Sequence, residues 1–92
     1  MLEAIVEEKS FQKDRKKLEK KHFDFSELKN VLDMLMQEVP LPNRYKNHSL
    51  SGKLKGYYDC HINNDKIVMI YKIFENRLIL FRIGSHKDVF NK

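Results

Sequence analysis

Two apolar runs near the end of the chain leave it the least freedom: KIVMIYKI over residues 66–73 and RLILFRI over 77–83. The first is almost continuously apolar, which predicts a central strand covered on both faces. Phe74-Glu75-Asn76 joins the two as a tight connection. The rest of the chain must therefore build a layer over a sheet.

Upstream, residues 54–62 alternate. Leu54, Tyr58, Cys60 and Ile62 point one way, and Lys55, Tyr57, Asp59 and His61 point the other. The first set predicts packing against helices, with Cys60 as a small buried hydrophobe. The second set puts a lysine, a tyrosine and a histidine on the opposite, open face. Asn63-Asn64-Asp65 is turn chemistry.

The first half predicts one strand and two helices. Residues 2–7, LEAIVE, read as a strand. Residues 9–21 read as a lysine-rich helix with Phe11 and Leu18 on one face. In the second helix Asp24 and Glu27 have capping-box spacing, and Phe23 and Leu28 have staple spacing. Leu28, Val31, Leu32, Leu35 and Met36 then follow the helical repeat. About two residues separate the helices, which predicts an antiparallel hairpin. Pro40 and Pro42 end the second helix and open a loop over 39–53 that carries His48. Lys87 to Phe90 read as a short helical turn packing back through Val89 and Phe90. The order is β-α-α-β-β-β, an α+β fold in one domain over 1–92.

Charge is distributed unevenly. Residues 1–46 carry ten Lys/Arg against nine Asp/Glu, a net of +1, and residues 47–92 carry eight against four, a net of +4. The excess lies with His48, His61 and His86, which predicts a polyanionic partner for that half. A single cysteine fits a reducing compartment. The first residues lack the apolar core of a signal peptide, and no run is long enough to span a bilayer.

Three histidines and Asp65 in a basic domain allow acid–base chemistry at neutral pH. Cleaving RNA needs a base for the 2′-hydroxyl, an acid for the 5′-oxygen and a cation for the crowded phosphate. Arg82 is a candidate for the last task, and Tyr57 for stacking on a base. The same residues offer a zinc donor set, but no pair has metal-motif spacing along the chain. A third possibility is that the histidines are scattered surface residues. Composition and spacing leave these readings open.

The run YKNHSLSGKLKGYYDCHINND from Tyr45 to Asp65, the RIGSHKDVF run from Arg82 to Phe90, the SFQKD start at 10–14 and the Pro-Leu-Pro before the loop together resemble the YafQ branch of the RelE superfamily. Its members are toxins of bacterial type II toxin–antitoxin pairs. The resemblance implies two helices on an antiparallel-rich sheet, and a cytoplasmic endoribonuclease that cuts mRNA in the ribosomal A site by 2′-hydroxyl attack, without metal or cofactor. It implies that His86 is the general acid, that His48, His61 and Asp65 share the base and proton-positioning work, that Arg82 holds phosphate, and that Phe90 orients the message. Lys55 and Tyr57 are further candidates for RNA contact. Lys66 stands where relatives often carry an apolar residue, and implies a phosphate contact instead. The implied partners are a cognate antitoxin, which carries most of the operator-DNA binding, and mRNA on the ribosome, with no membrane. The alternative is a non-catalytic RNA- or ribosome-binding inhibitor of translation.

Overall fold

The computed structural model describes residues 1–90. The elements are β1 (Ala4–Glu7), α1 (Lys9–Lys20), α2 (Ser26–Met36), β2 (His48–Ser49), β3 (Tyr58–Ile62), β4 (Ile67–Phe74), β5 (Arg77–Gly84) and α3 (His86–Phe90). The sheet order is β1-β5-β4-β3-β2. Only the β1–β5 pair is parallel; the other three pairs are antiparallel. The α+β class and the helix-on-sheet layering follow the sequence expectation.

Both helices bury their apolar stripe on one face of the sheet. Phe11 and Leu18 of α1 and Leu28, Val31 and Leu35 of α2 meet Cys60, Ile62, Met69, Tyr71, Leu78, Leu80 and Ile83. The hairpin link is longer than two residues, because α1 ends in a Schellman turn. His22 takes a left-handed conformation at φ 58°, and the Phe23 amide donates to Leu18 O at 3.0 Å. The end of α2 repeats the motif two residues before Pro40, with Glu38 at φ 60° and the Val39 amide donating to Met34 O.

The capping box forms only in part. Phe25, not Asp24, takes the cap position; Asp24, one residue earlier, still has its Oδ1 accept the Ser26 amide at 3.0 Å. Glu27 does not reach back to the cap; its Oε1 accepts the Asn63 amide at 3.1 Å and ties α2 to the β3–β4 turn.

Two further corrections concern the region around the histidines. The third strand begins at Tyr58 rather than residue 54, because Gly52–Leu54 forms a 3-10 turn and Gly52 and Gly56 sit at positive φ. Lys55 therefore leaves that turn as an exposed residue and does not share a strand face with His61. His48 is not in open loop; it pairs with Asp59 on the two-residue strand β2.

The face opposite the helices is also less open than alternation suggests. Val68 and Ile70 lie on it and are 0% and 1% exposed. Exposed, these two would cost about 1.5–3 kcal/mol each in lost burial. Helix α3 packs back on β4 and β5, and the ring of Tyr57, just before β3, approaches that of Phe81 on β5 to 5.2 Å.

β5 outruns its partner β1. Pairing stops at Glu7↔Leu80, leaving the polar groups of Phe81 and Ile83 on an open edge. The start of α1 satisfies them. Ser10 Oγ donates to Phe81 O at 2.6 Å, and Asp14 Oδ2 accepts the Ile83 amide at 3.0 Å. A register shift opposite Ile70/Tyr71 makes Phe81 the extra residue, so Arg82 pairs with Ile70.

Candidate active site

The site is built around Asp59, which sequence reasoning placed beside His61 without giving it a role. Asp59 lies on β3 and is 3% exposed. Its strand partner His48 brings Nδ1 to 3.0 Å from Asp59 Oδ1, and His61, two residues on, brings Nε2 to 3.8 Å from Oδ2. Burial pushes the Asp59 carboxyl above the usual carboxylate range, while His48, His61 and His86 pull the other way.

His48 Nδ1 also lies 2.7 Å from Lys46 O. Both neighbours of this nitrogen are acceptors, so Nδ1 carries hydrogen and the neutral ring presents Nε2 as its lone pair. That hydrogen serves the nearer Lys46 carbonyl. Asp59 Oδ1 is left without a well-formed hydrogen bond among the described residues.

His61 sits between two carboxylates. Its Nδ1 is 3.4 Å from Asp65 Oδ1, and its side chain is 11% exposed. Asp65 reaches it because Asn63, Asn64 and Asp65 all adopt left-handed conformations, at φ 52°, 57° and 66°. Asn and Asp tolerate that region better than other side chains, and Glu27 anchors the turn. Lys46 Nζ closes on Asp65 Oδ2 at 2.5 Å and holds the Asp65 carboxyl below its usual range. Lys46 was not singled out in the sequence; nothing in its spacing marks it.

His86 opens α3, so it begins the helix that the sequence placed one residue later. Its ring centroid lies 4.9 Å from His61, whose own centroid lies 6.1 Å from His48. Phe90, one turn on, stacks on His86 at 5.9 Å. His48, His61, Asp65, His86 and Phe90 therefore meet in one place.

Arg82 stands at the margin, held by its own ion pair. Its Nε and Nη2 donate to Asp14 at 2.6 and 3.2 Å, and Nη2 also to Asp88 O at 3.3 Å. Asp14 raises the guanidinium pKa, so the charge is permanent. Lys66 is exposed at the end of the turn next to Asp65. Tyr57 lies against Phe81, with Lys72 Nζ 4.9 Å from its ring centre. Cys60 is buried on the helix side, and burial pushes its thiol up to about 12.

Chemically, the cluster can take one proton and give another across a short gap. His48, Asp59 and His61 also offer ligand atoms within 4.8 Å of one another. Two imidazoles and a carboxylate suit zinc and other divalent first-row metals. This grouping was hidden by the chain spacing, because β2 and β3 bring His48 to Asp59 only by pairing.

The chain matches the family model for the bacterial toxin of type II toxin–antitoxin systems, YafQ, over residues 3–91. It is 40% identical over 81 residues to the mRNA interferase toxin YafQ of Escherichia coli strain K12, covering 87% of each chain. Its fold superposes on the crystal structure of the E. coli DinJ–YafQ toxin–antitoxin complex with a TM-score of 0.85 at 34% identity, covering 98% of this chain and 99% of the other. A metal-bound toxin from Helicobacter pylori gives a TM-score of 0.88 at 41% identity, covering 98% of this chain and 100% of the other. With the helix-on-sheet fold and the histidine cluster in place, these matches establish that the chain belongs to the YafQ family of bacterial type II toxins, whose curated relatives are mRNA interferases.

Proposed function

We propose that this chain is an endoribonuclease that cuts mRNA on the ribosome and so arrests translation. The observation that carries the reading is the convergence of three imidazoles on two carboxylates, with His61 4.9 Å from His86 and 6.1 Å from His48 at the ring centres. The message's 2′-oxygen attacks the adjacent phosphorus and the bond to the 5′-oxygen breaks. The products are a 2′,3′-cyclic phosphate and a free 5′-hydroxyl. His48 Nε2 or His61 takes the 2′-hydroxyl proton, and His86 gives a proton to the departing oxygen.

Asp59 lies against the His48 and His61 rings at 3.0 and 3.8 Å, and Asp65 against His61 at 3.4 Å, and they hold these rings in place for the transfers. Arg82, fixed by Asp14, stands beside the phosphate with Nη1 uncommitted among the described residues, and stabilises its charge. Phe90 orients the message over His86. Lys55, Lys66 and Tyr57 contact the RNA around it. A cognate antitoxin pairs with the chain, as DinJ does with YafQ in the E. coli complex; it covers the basic half and carries the operator-DNA binding. The setting is the cytoplasm.

Expression of the chain should arrest growth, and His86→Ala should relieve the arrest with the thermal melt unchanged. Primer extension on ribosome-bound message should show new ends for the unsubstituted chain alone. Arrest without new ends would replace this reading by a non-catalytic block of translation.

A second reading is favoured by the His48–Asp59–His61 donor set and by the metal-bound relative from H. pylori. These three residues would hold a divalent ion, which when bound supplies Lewis-acid charge at the phosphate. Cleavage undiminished by excess chelator would eliminate a catalytic metal.

A further inference from the structure

We infer that the strip running from Tyr57 through Lys72 to Phe74 is a stacking platform for the single-stranded message beside the cut. The inference rests on the nuclease reading for the identity of its ligand.

Lys72 lies across β3–β4 from the approach to Tyr58, and its Nζ is 4.9 Å from the Tyr57 ring centre and 5.5 Å from that of Phe74. Phe74 follows two residues later on the same face and is 57% exposed. A phenylalanine this exposed at a strand end contributes little to the core. Its strand neighbour Arg77 is exposed and adds a second cation to the half-buried Lys72.

The strip begins where the candidate site ends. Asp59, Ile70 and Arg82 form one row across three strands. Phe74 lies four residues from Ile70 along β4, about 13 Å at the usual rise. On that face the β4 and β5 positions between the two rows carry lysine, arginine, isoleucine and aromatic residues, and no carboxylate. Cations interleaved with the half-buried Tyr57 ring and the exposed Phe74 ring on a sheet face suit a strand of nucleotides, with bases on rings and phosphates on Lys72 and Arg77. Stacking needs only a π-face, so the platform adds affinity without a strong base preference.

The test is fluorescence anisotropy with a labelled 2′-O-methyl RNA heptamer, which lacks the attacking hydroxyl and stays uncut. Phe74→Ala should weaken binding by roughly five- to 150-fold, the range for one lost base–aromatic stack. Phe74→Tyr should restore it, and both melts should match the unsubstituted chain. Lys72→Gln should lower the slope of log K against log salt by about 0.7, one single-strand phosphate contact. Equal affinity for Phe74→Ala, no rescue by tyrosine, or no binding by the unsubstituted chain would each overturn the platform. Loss of antitoxin binding alone would make the strip a protein interface instead. A chain that binds through Phe74 yet leaves ribosome-bound message uncut would sink the nuclease reading and keep the platform.

Discussion

Asp14 is the single side chain that joins α1, the open edge of β5 and Arg82, so Asp14→Ala tests the architecture most directly. Asp14 is 8% exposed and accepts three hydrogen bonds: two from Arg82, at 2.6 and 3.2 Å, and one from the Ile83 amide at 3.0 Å. Truncation leaves the Ile83 amide on a buried strand edge with no strand partner. It also leaves the Arg82 guanidinium, with a side chain 28% exposed, without its counter-charge. An unsatisfied buried donor costs about 1–3 kcal/mol. The arginine pair adds about 1 kcal/mol once screening at a part-exposed guanidinium is allowed for. The sum is roughly 2–4 kcal/mol, which for a domain of this size lowers Tm by roughly 8–32 °C. Thermal circular dichroism gives the total, and amide exchange at Ile83 reports the edge itself. Asp14→Asn keeps an acceptor for Ile83 and should recover about half the loss. A Tm within 2 °C of the unsubstituted protein, with Ile83 exchange unchanged, would refute the idea that α1 seals this edge.

Burial holds the Asp59 carboxyl above its ordinary value, so the folded chain binds that proton more tightly than the unfolded one. Its ionisation then subtracts stability as pH rises through the window above about 3.9. Asp59→Asn should raise Tm at pH 7, leave it unchanged below pH 4, and cut the single-turnover cleavage rate at least tenfold; a lower Tm at pH 7 would count against the sign. Lys46 depresses the Asp65 carboxyl, whose stabilising interaction is present above the unfolded value and lost as pH falls through the folded one. In Lys46→Met the Asp65 carboxyl should titrate higher, read by carbon NMR of the side chain. The Cys60 thiol, pushed up to about 12 and buried, should resist iodoacetamide at pH 8 until the chain is denatured. Glu27→Ala should speed exchange of the Asn63 amide and lower cleavage without a comparable fall in Tm, because it frees the turn that presents Asp65.

Periodicity and punctuation make most of the fold legible in the sequence. The i, i+3, i+4 stripe of α2 and the apolar run of β4 stand at the expected places, because both are set by which atoms must leave water. Errors fell where local signals compete. A 3-10 turn over Gly52–Leu54 took the start of the strand expected over 54–62, and Glu27 pairs with the β3–β4 turn instead of a cap.

The sequence by itself determined the layers, the turn chemistry at Asn63–Asp65 and the residue types from which an acid–base site is made. These depend on neighbours within a few residues of one another. Only the tertiary structure decided which groups meet. Pairing of β2 with β3 sets His48 on Asp59, and the return of α3 sets His86 over His61. The end of β1 at Glu7 leaves an edge that Asp14 fills, and this in turn fixes Arg82. Strand register and edge closure depend on contacts between residues tens of positions apart, and no local pattern encodes them. The buried carboxylate of Asp59 looks like any polar strand residue until burial gives it its effect.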